Sequence, residues 1–138
     1  SRFYSQPKLL AKGDPLPERL LKFTVFGSRE AMDEVEADWS KWTPHLQSLR
    51  SGDFFIDVQH AAAGKGTALR QLAEAKGIER GRVLAIGNYY NDIGMLAFAG
   101  LGLAMDNSPD KVKQAADVVI GSNNEEGVAE ALRQYAFA

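Results

Sequence analysis

Two short stretches hold residue types that do chemistry. The first is AAAGKGTAL, residues 61–69, where Lys65 stands between Gly64 and Gly66 at the start of a helical pattern. A lysine flanked by glycines can approach an anion closely, and the N–H groups of a helix N-terminus add positive potential. The second is VLAIGNYYNDIGML, residues 83–96. An apolar run, Val83 to Ile86, ends at Gly87, and Asn88, Asn91 and Asp92 follow. Asn88 and Asp92 offer oxygens to a hard cation such as Mg2+, which takes carboxylate, carbonyl and water ligands. Asn91 can donate or accept a hydrogen bond at a phosphate. Each stretch also has a plainer reading. Gly-Lys-Gly is a glycine turn with a solvated lysine, and Asp92 is an N-cap that needs no metal. A nucleotide P-loop does not fit, because Gln59 stands where it needs Gly and Gly66 where it needs Ser or Thr.

Both stretches need elements to position them. Residues 1–21 mix Pro7, Gly13, Pro15 and Pro17 with apolar residues and read as irregular, with a short helix over 17–21. Lys22 to Phe26 reads as a strand. Ser28 is placed to cap a helix through Trp39 that turns Ala31, Met32, Val35 and Trp39 inward. Leu46 to Leu49 and Phe54 to Val58 read as strands joined by a turn at Ser51-Gly52-Asp53. After Gln59 the pattern becomes regular. A helix over 66–76 carries Leu69, Leu72 and Ala73 on one face and ends at Gly77, the strand 83–86 follows, and Asp92 opens a helix to Gly100. Then come a strand over 101–105, a helix capped by Ser108 with Pro109 first, a strand over 118–120, and a last helix capped by Asn123 or Asn124. Such alternation predicts a parallel sheet with helices on both faces, and strand 83–86 is expected to be buried on both sides. Ligands bind at the carboxyl ends of such strands. Two units follow, an α+β unit over 1–60 and an α/β unit over 61–138.

Bulk properties narrow the function classes. The 138 residues are 45% hydrophobic, enough for a packed core, with 16 basic and 18 acidic groups. A net charge of −2 gives no reason to expect nucleic acid or a membrane surface as partner. Cysteine is absent, which excludes thiol catalysis and cysteine-ligated zinc and is compatible with a reducing cytoplasm, the expected location. No apolar run reaches membrane-spanning length. His45 and His60 have no spaced partner of the kind zinc needs, and Tyr89 and Tyr90 read as packing or loop residues.

Taken together, GKGTALRQLAEAKGI, then VLAIGNYYNDIGMLAFAGLGLAMDNSPDKVKQAADVVI, then SNNEEGVAEAL resemble the haloacid dehalogenase-like phosphohydrolases, and within them the Cof-type branch with a type IIB cap. The resemblance covers residues 54–132 well; the first 53 are similar to the latter part of the cap, with weaker textual support. It implies an α/β fold: half of a doubly wound, Rossmann-like parallel core sheet preceded by part of an α+β cap. It also implies a Mg2+-dependent phosphatase acting on a small phosphorylated metabolite such as a sugar phosphate. In that family an Asp attacks the phosphate ester, a second Asp two residues later acts as acid and base, and a lysine steadies the phosphoryl group. Carried over, Lys65 is the catalytic, phosphate-binding lysine, Asn91 a phosphate neighbour, and Asn88 and Asp92 the residues of the Mg2+ loop.

Two departures qualify what the resemblance implies. The family's loop carries Asp where this chain has Asn88, which forfeits on the order of several kcal/mol of attraction for the cation at ~4 Å and an effective dielectric near 20. The Asp-x-Asp-Gly nucleophile signature is absent from the 138 residues. The sequence therefore reads as the later part of a longer protein. It is expected to pair with a missing amino-terminal half, or with itself through an exposed sheet edge, and to be inactive alone. The alternative is a non-catalytic binding or regulatory module that keeps the phosphatase-like shell.

Overall fold

A computed structural model describes residues 9–39 and 45–137. They form two three-stranded sheets. The first is antiparallel and built from β1 (Lys22–Phe26), β2 (Leu46–Gly52) and β3 (Phe55–His60), in the order β1-β3-β2. Helix α1 (Arg29–Trp39) covers one face, burying Met32 against Ile56 and Val58, with Val25, Val35 and Trp39 around them. Period-two alternation explains the split in β3: Ile56 and Val58 point to the helix, and Asp57 and Gln59 point away. The register puts Lys22 opposite Gln59, Thr24 opposite Asp57, and Leu49 opposite Asp57, so these side chains share the face that α1 leaves uncovered.

The second sheet is parallel, with β4 (Leu84–Gly87), β5 (Leu101–Met105) and β6 (Val118–Ile120) in that order. Four helices accompany it: α2 (Lys65–Ala75), α3 (Ile93–Phe98), α4 (Asp110–Gln114) and α5 (Gly127–Tyr135). Ala85 and Ala104 pack on one face with Leu96, Ala99 and Val112, and Leu69 borders that cluster. Leu103, Met105 and Ile120 pack on the other with Ala131. This is the expected α/β arrangement, a parallel sheet between two helical layers.

Several local expectations are corrected. The strand buried on both faces is β5, not β4; in β4 Ala85 and Gly87 are buried while Leu84 and Ile86 are half-buried. The reason is position, because β5 is central and β4 has no neighbour on its outer side among the described residues. The helix expected over 17–21 is absent. Those residues are exposed, Leu20 half and Leu21 almost wholly, and a single turn with so little packing does not hold in water. The hairpin turns at Asp53 and Phe54, later than expected, because the Arg50 guanidinium gathers the carbonyls of Gly52 and Asp53 at 3.1 and 2.7 Å.

Three helix expectations also change. Ser108 does not cap α4; it is buried and its Oγ finds no partner, and Pro109 stands just before the helix. In place of an Asn123 or Asn124 cap, Ser122 and Glu125 close a capping box on a 3-10 turn over Asn123–Glu125. Glu126, at φ 54, then passes the chain into α5. Leu72 is 56% exposed, so the inner face of α2 is carried by Leu69 and Ala73. Gly77 does end α2, at φ +63, the left-handed conformation a C-terminal glycine adopts cheaply. The expectations for residues 1–8, Pro7 among them, lie outside the described residues.

Candidate active site

Lys65 is the first residue of α2, and its ammonium donates to Oδ1 of Asp92, which ends the 3-10 turn Tyr90–Asp92 leading into α3. Two glycines make this meeting geometrically available. A Cβ on Gly66 would come within 2.4 Å of the Gly94 carbonyl oxygen, so only glycine lets the start of α2 press against the start of α3. A Cβ on Gly87 would stand 2.5 Å from the Asp92 Cβ, so a glycine at the end of β4 leaves room for Asp92 to fold beneath it. Gly66, read from sequence as freedom for the lysine, is in fact a close-packing position.

Asp92 does not cap α3; its side chain instead closes the start of the 3-10 turn before it. Its side chain is 4% exposed, and Oδ2 accepts the backbone N–H groups of Asn88 and Tyr89 at 2.9 and 3.1 Å. Burial alone would raise its pKa, but Lys65 and these two N–H groups outweigh it and hold the carboxyl below its usual range. Asp92 therefore stays ionised, keeps Lys65 directed to the carboxyl end of β4, and fixes the backbone of the loop. Lys65 remains half exposed.

The sequence-predicted residues divide around this loop. Lys65 and Asn91 line one cavity of about 360 Å3, together with Leu49, Asp57 and Gln59 from the antiparallel sheet and Lys22. Asn88 lines a different cavity of about 430 Å3, with Asn107, Asn123 and the apolar Ile86, Met105 and Val128. Asp92 lines neither cavity. As a Mg2+ site, the loop offers the Asn88 amide oxygen and the already hydrogen-bonded Asp92 carboxylate, and no cluster of three acidic or histidine side chains exists among the described residues. That donor set fits part of a Mg2+ shell, since such shells use one or two carboxylates and complete themselves with water and phosphate oxygens.

Several site features were not visible as motifs. Gln59 donates to the Ala63 carbonyl at 2.9 Å, and Gln47 donates to the same oxygen, so the two amides pin the segment that delivers Lys65. Asp57 accepts from the Thr24 hydroxyl at 2.6 Å and the Lys22 ammonium at 3.1 Å. Tyr89 donates from its hydroxyl to Asp53 at 3.1 Å, tying the hairpin tip to the Asp92 loop, and Arg29 pairs with the same carboxylate. Burial and the Asp53 carboxylate together raise the Tyr89 pKa. Arg50, 9% exposed, bridges Asp33 at 2.6 Å and Glu36 at 3.2 Å. The alternation of β3 carried a signal for Asp57 and Gln59; nothing local foretold the Tyr89 and Arg50 contacts, which join residues distant in sequence.

Comparison with known proteins gives the fold its class. The haloacid dehalogenase-like hydrolase family matches residues 4–132, and the chain belongs to it. Its relatives place it with the Cof-type members. A putative phosphatase of Haemophilus influenzae is 41% identical over 113 residues, 82% of this chain and 43% of that protein. A haloacid dehalogenase-like hydrolase from Bacteroides thetaiotaomicron superposes with a TM-score of 0.70 at 33% identity, over 86% of this chain and 45% of that one. A subclass IIB sugar phosphatase of the superfamily does so with a TM-score of 0.73 at 27% identity, over 86% and 44%. The chain thus spans less than half the length of these relatives. Among the described residues no helix is long and apolar enough to cross a membrane.

Proposed function

We propose that this chain carries the phosphate-stabilising part of a Mg2+-dependent phosphatase for small phosphate monoesters, sugar phosphates among them. The observation that supports it is the Lys65–Asp92 pair at the strand end, with Asn91 on the same cavity as Lys65. Membership of a family whose relatives include named phosphatases supports the reaction class. In that reaction a carboxylate oxygen bonds to phosphorus as the P–O ester bond breaks, and the alcohol leaves with a proton; water then cleaves the aspartyl-phosphate. The attacking Asp is not in these 138 residues. Lys65 compensates charge on the transferring group, Asn91 orients a phosphate oxygen, and Asp92 holds the lysine. On this chain Asn88 and Asp92 would hold Mg2+, which would supply charge neutralisation for the phosphoryl group.

The free side of β4 belongs to the same proposal. An unpaired parallel strand exposes a row of N–H and C=O groups, and the natural occupant is an amino-terminal half carrying the nucleophile strand, with a second copy as the weaker substitute. The test joins this chain to an Asp-x-Asp half. The joined protein should hydrolyse a sugar phosphate with Mg2+, the 138 residues alone should not, and Lys65→Ala should cost the joined protein ~100-fold or more. Mg2+-dependent turnover by the isolated chain would overturn the division of labour. A non-catalytic module is favoured by one observation, the uncharged Asn88 beside a carboxylate whose two oxygens already accept from Lys65 and two backbone N–H groups. Phosphate binding indifferent to Mg2+, with no turnover after joining, would select it.

A further inference from the structure

The cavity that holds Lys65 and Asn91 has a second wall that the phosphate chemistry does not use. That wall is the uncovered face of the antiparallel sheet, where the register brings Lys22, Thr24, Leu49, Asp57 and Gln59 together. Exposed sheet faces often carry such cross-strand pairs, which contribute only ~0.2–1 kcal/mol each. This pair differs in its surroundings. The Asp57 side chain is 14% exposed, Thr24 and Lys22 fix both its oxygens, and it looks into a cavity whose opposite wall is the phosphate lysine. A carboxylate oxygen has more than one lone pair, so Asp57 keeps acceptor capacity after these bonds. Burial would raise its pKa, but Thr24, Lys22 and Ser51 outweigh it and lower it, keeping the carboxylate an acceptor with lone-pair capacity beyond these three donors.

We infer that Asp57 is a specificity-determining residue that accepts hydrogen bonds from hydroxyl groups on the alcohol half of a phosphomonoester whose phosphate lies at Lys65 and Asn91. This rests on the phosphate reading given above. The rest of the wall agrees in chemistry. Lys22 and Gln59 add a donor and an amide, and among the described residues the apolar lining is Leu49 and Ala68, with no aromatic ring to stack a planar base. The cavity therefore suits a hydroxylated aliphatic chain or ring rather than a nucleobase. Lys22 largely offsets the Asp57 charge, so the wall selects by hydrogen bonding and not by net charge.

Calorimetric titration of the chain, with Mg2+ present, tests this with two dianions: methyl phosphate, which has no hydroxyl, and sorbitol 6-phosphate, which has several. The wild type should bind sorbitol 6-phosphate ~10-fold tighter, the value of one hydrogen bond to a charged acceptor. Asp57→Asn should erase most of that ratio. Thr24→Val, which frees the carboxylate to turn, should erase part of it. The ratio is the readout because any change in charge at residue 57 acts on both dianions alike. Circular dichroism confirms that each variant is folded. A ratio unchanged in both variants, or no preference in the wild type, overturns the role of Asp57 while methyl phosphate binding that depends on Lys65 leaves the phosphate reading standing. If neither ligand binds, both are overturned.

Discussion

At the scale of single residues, the site is held by a carboxylate that is engaged on every side. Asp92 accepts from Lys65 and from two backbone N–H groups while almost wholly buried. Asp92→Asn keeps the shape but loses the charge. Because Lys65 is half exposed, solvent screening limits the loss to about 1–2 kcal/mol at pH 7, read as a lower denaturant midpoint. The sign of the pH dependence follows from the lowered pKa. The carboxylate contributes its stability above its unfolded value, about 4, and loses it as pH falls through the lower folded value. The gap between wild type and Asp92→Asn should therefore be widest near neutrality and narrow below about pH 4. A gap that widened in acid would refute the pairing. Gly66→Ala places a Cβ 2.4 Å from the Gly94 carbonyl, so it should cost about 1–3 kcal/mol and also displace Lys65. A Gly66→Ala protein with wild-type melting would show that α2 and α3 do not meet as described.

At the scale of elements, periodicity and punctuation made most of the fold readable. The β–α alternation after Gln59, the inward Met32, Val35 and Trp39 of α1, and Gly77 as a terminator all follow from local chemistry, whereas Ala31, expected inward, is exposed. Gly77→Ala should cost about 1 kcal/mol, since alanine resists positive φ; thermal melting measures it. What could not be read depends on contacts between distant residues. Asp92 and Ser108 both have cap-like sequences, yet one is claimed by Lys65 and a strand end, and the other is buried without a partner. Leu72 sits at an inward-looking helical position, but nothing covers it. The candidate residues, Lys65 and Asn-x-x-Asn-Asp, could be named from types and spacing; the placement of Lys65 and Asn91 on one cavity and Asn88 on another could not, because it depends on how the loop folds under Gly87.

At the scale of the molecule, the two sheets meet where the chemistry is. The Lys65 end of α2 faces the polar side of the antiparallel sheet, and Tyr89 ties the hairpin tip to the Asp92 loop. Among the described residues β4 has no strand on its outer side, where the proposed amino-terminal half would pair. An amino-terminal half that fills it should raise the melting temperature as well as confer turnover. The claim on which everything else depends is that Lys65, Asn91 and Asp92 form a phosphate site. Titrating inorganic phosphate into the 15N-labelled chain, with and without Mg2+, tests it most directly. The predicted result is saturable amide shifts centred on residues 64–66 and 88–92, strengthened by Mg2+ and abolished in Lys65→Ala. Shifts scattered elsewhere, or unchanged when Lys65 is removed, would contradict it.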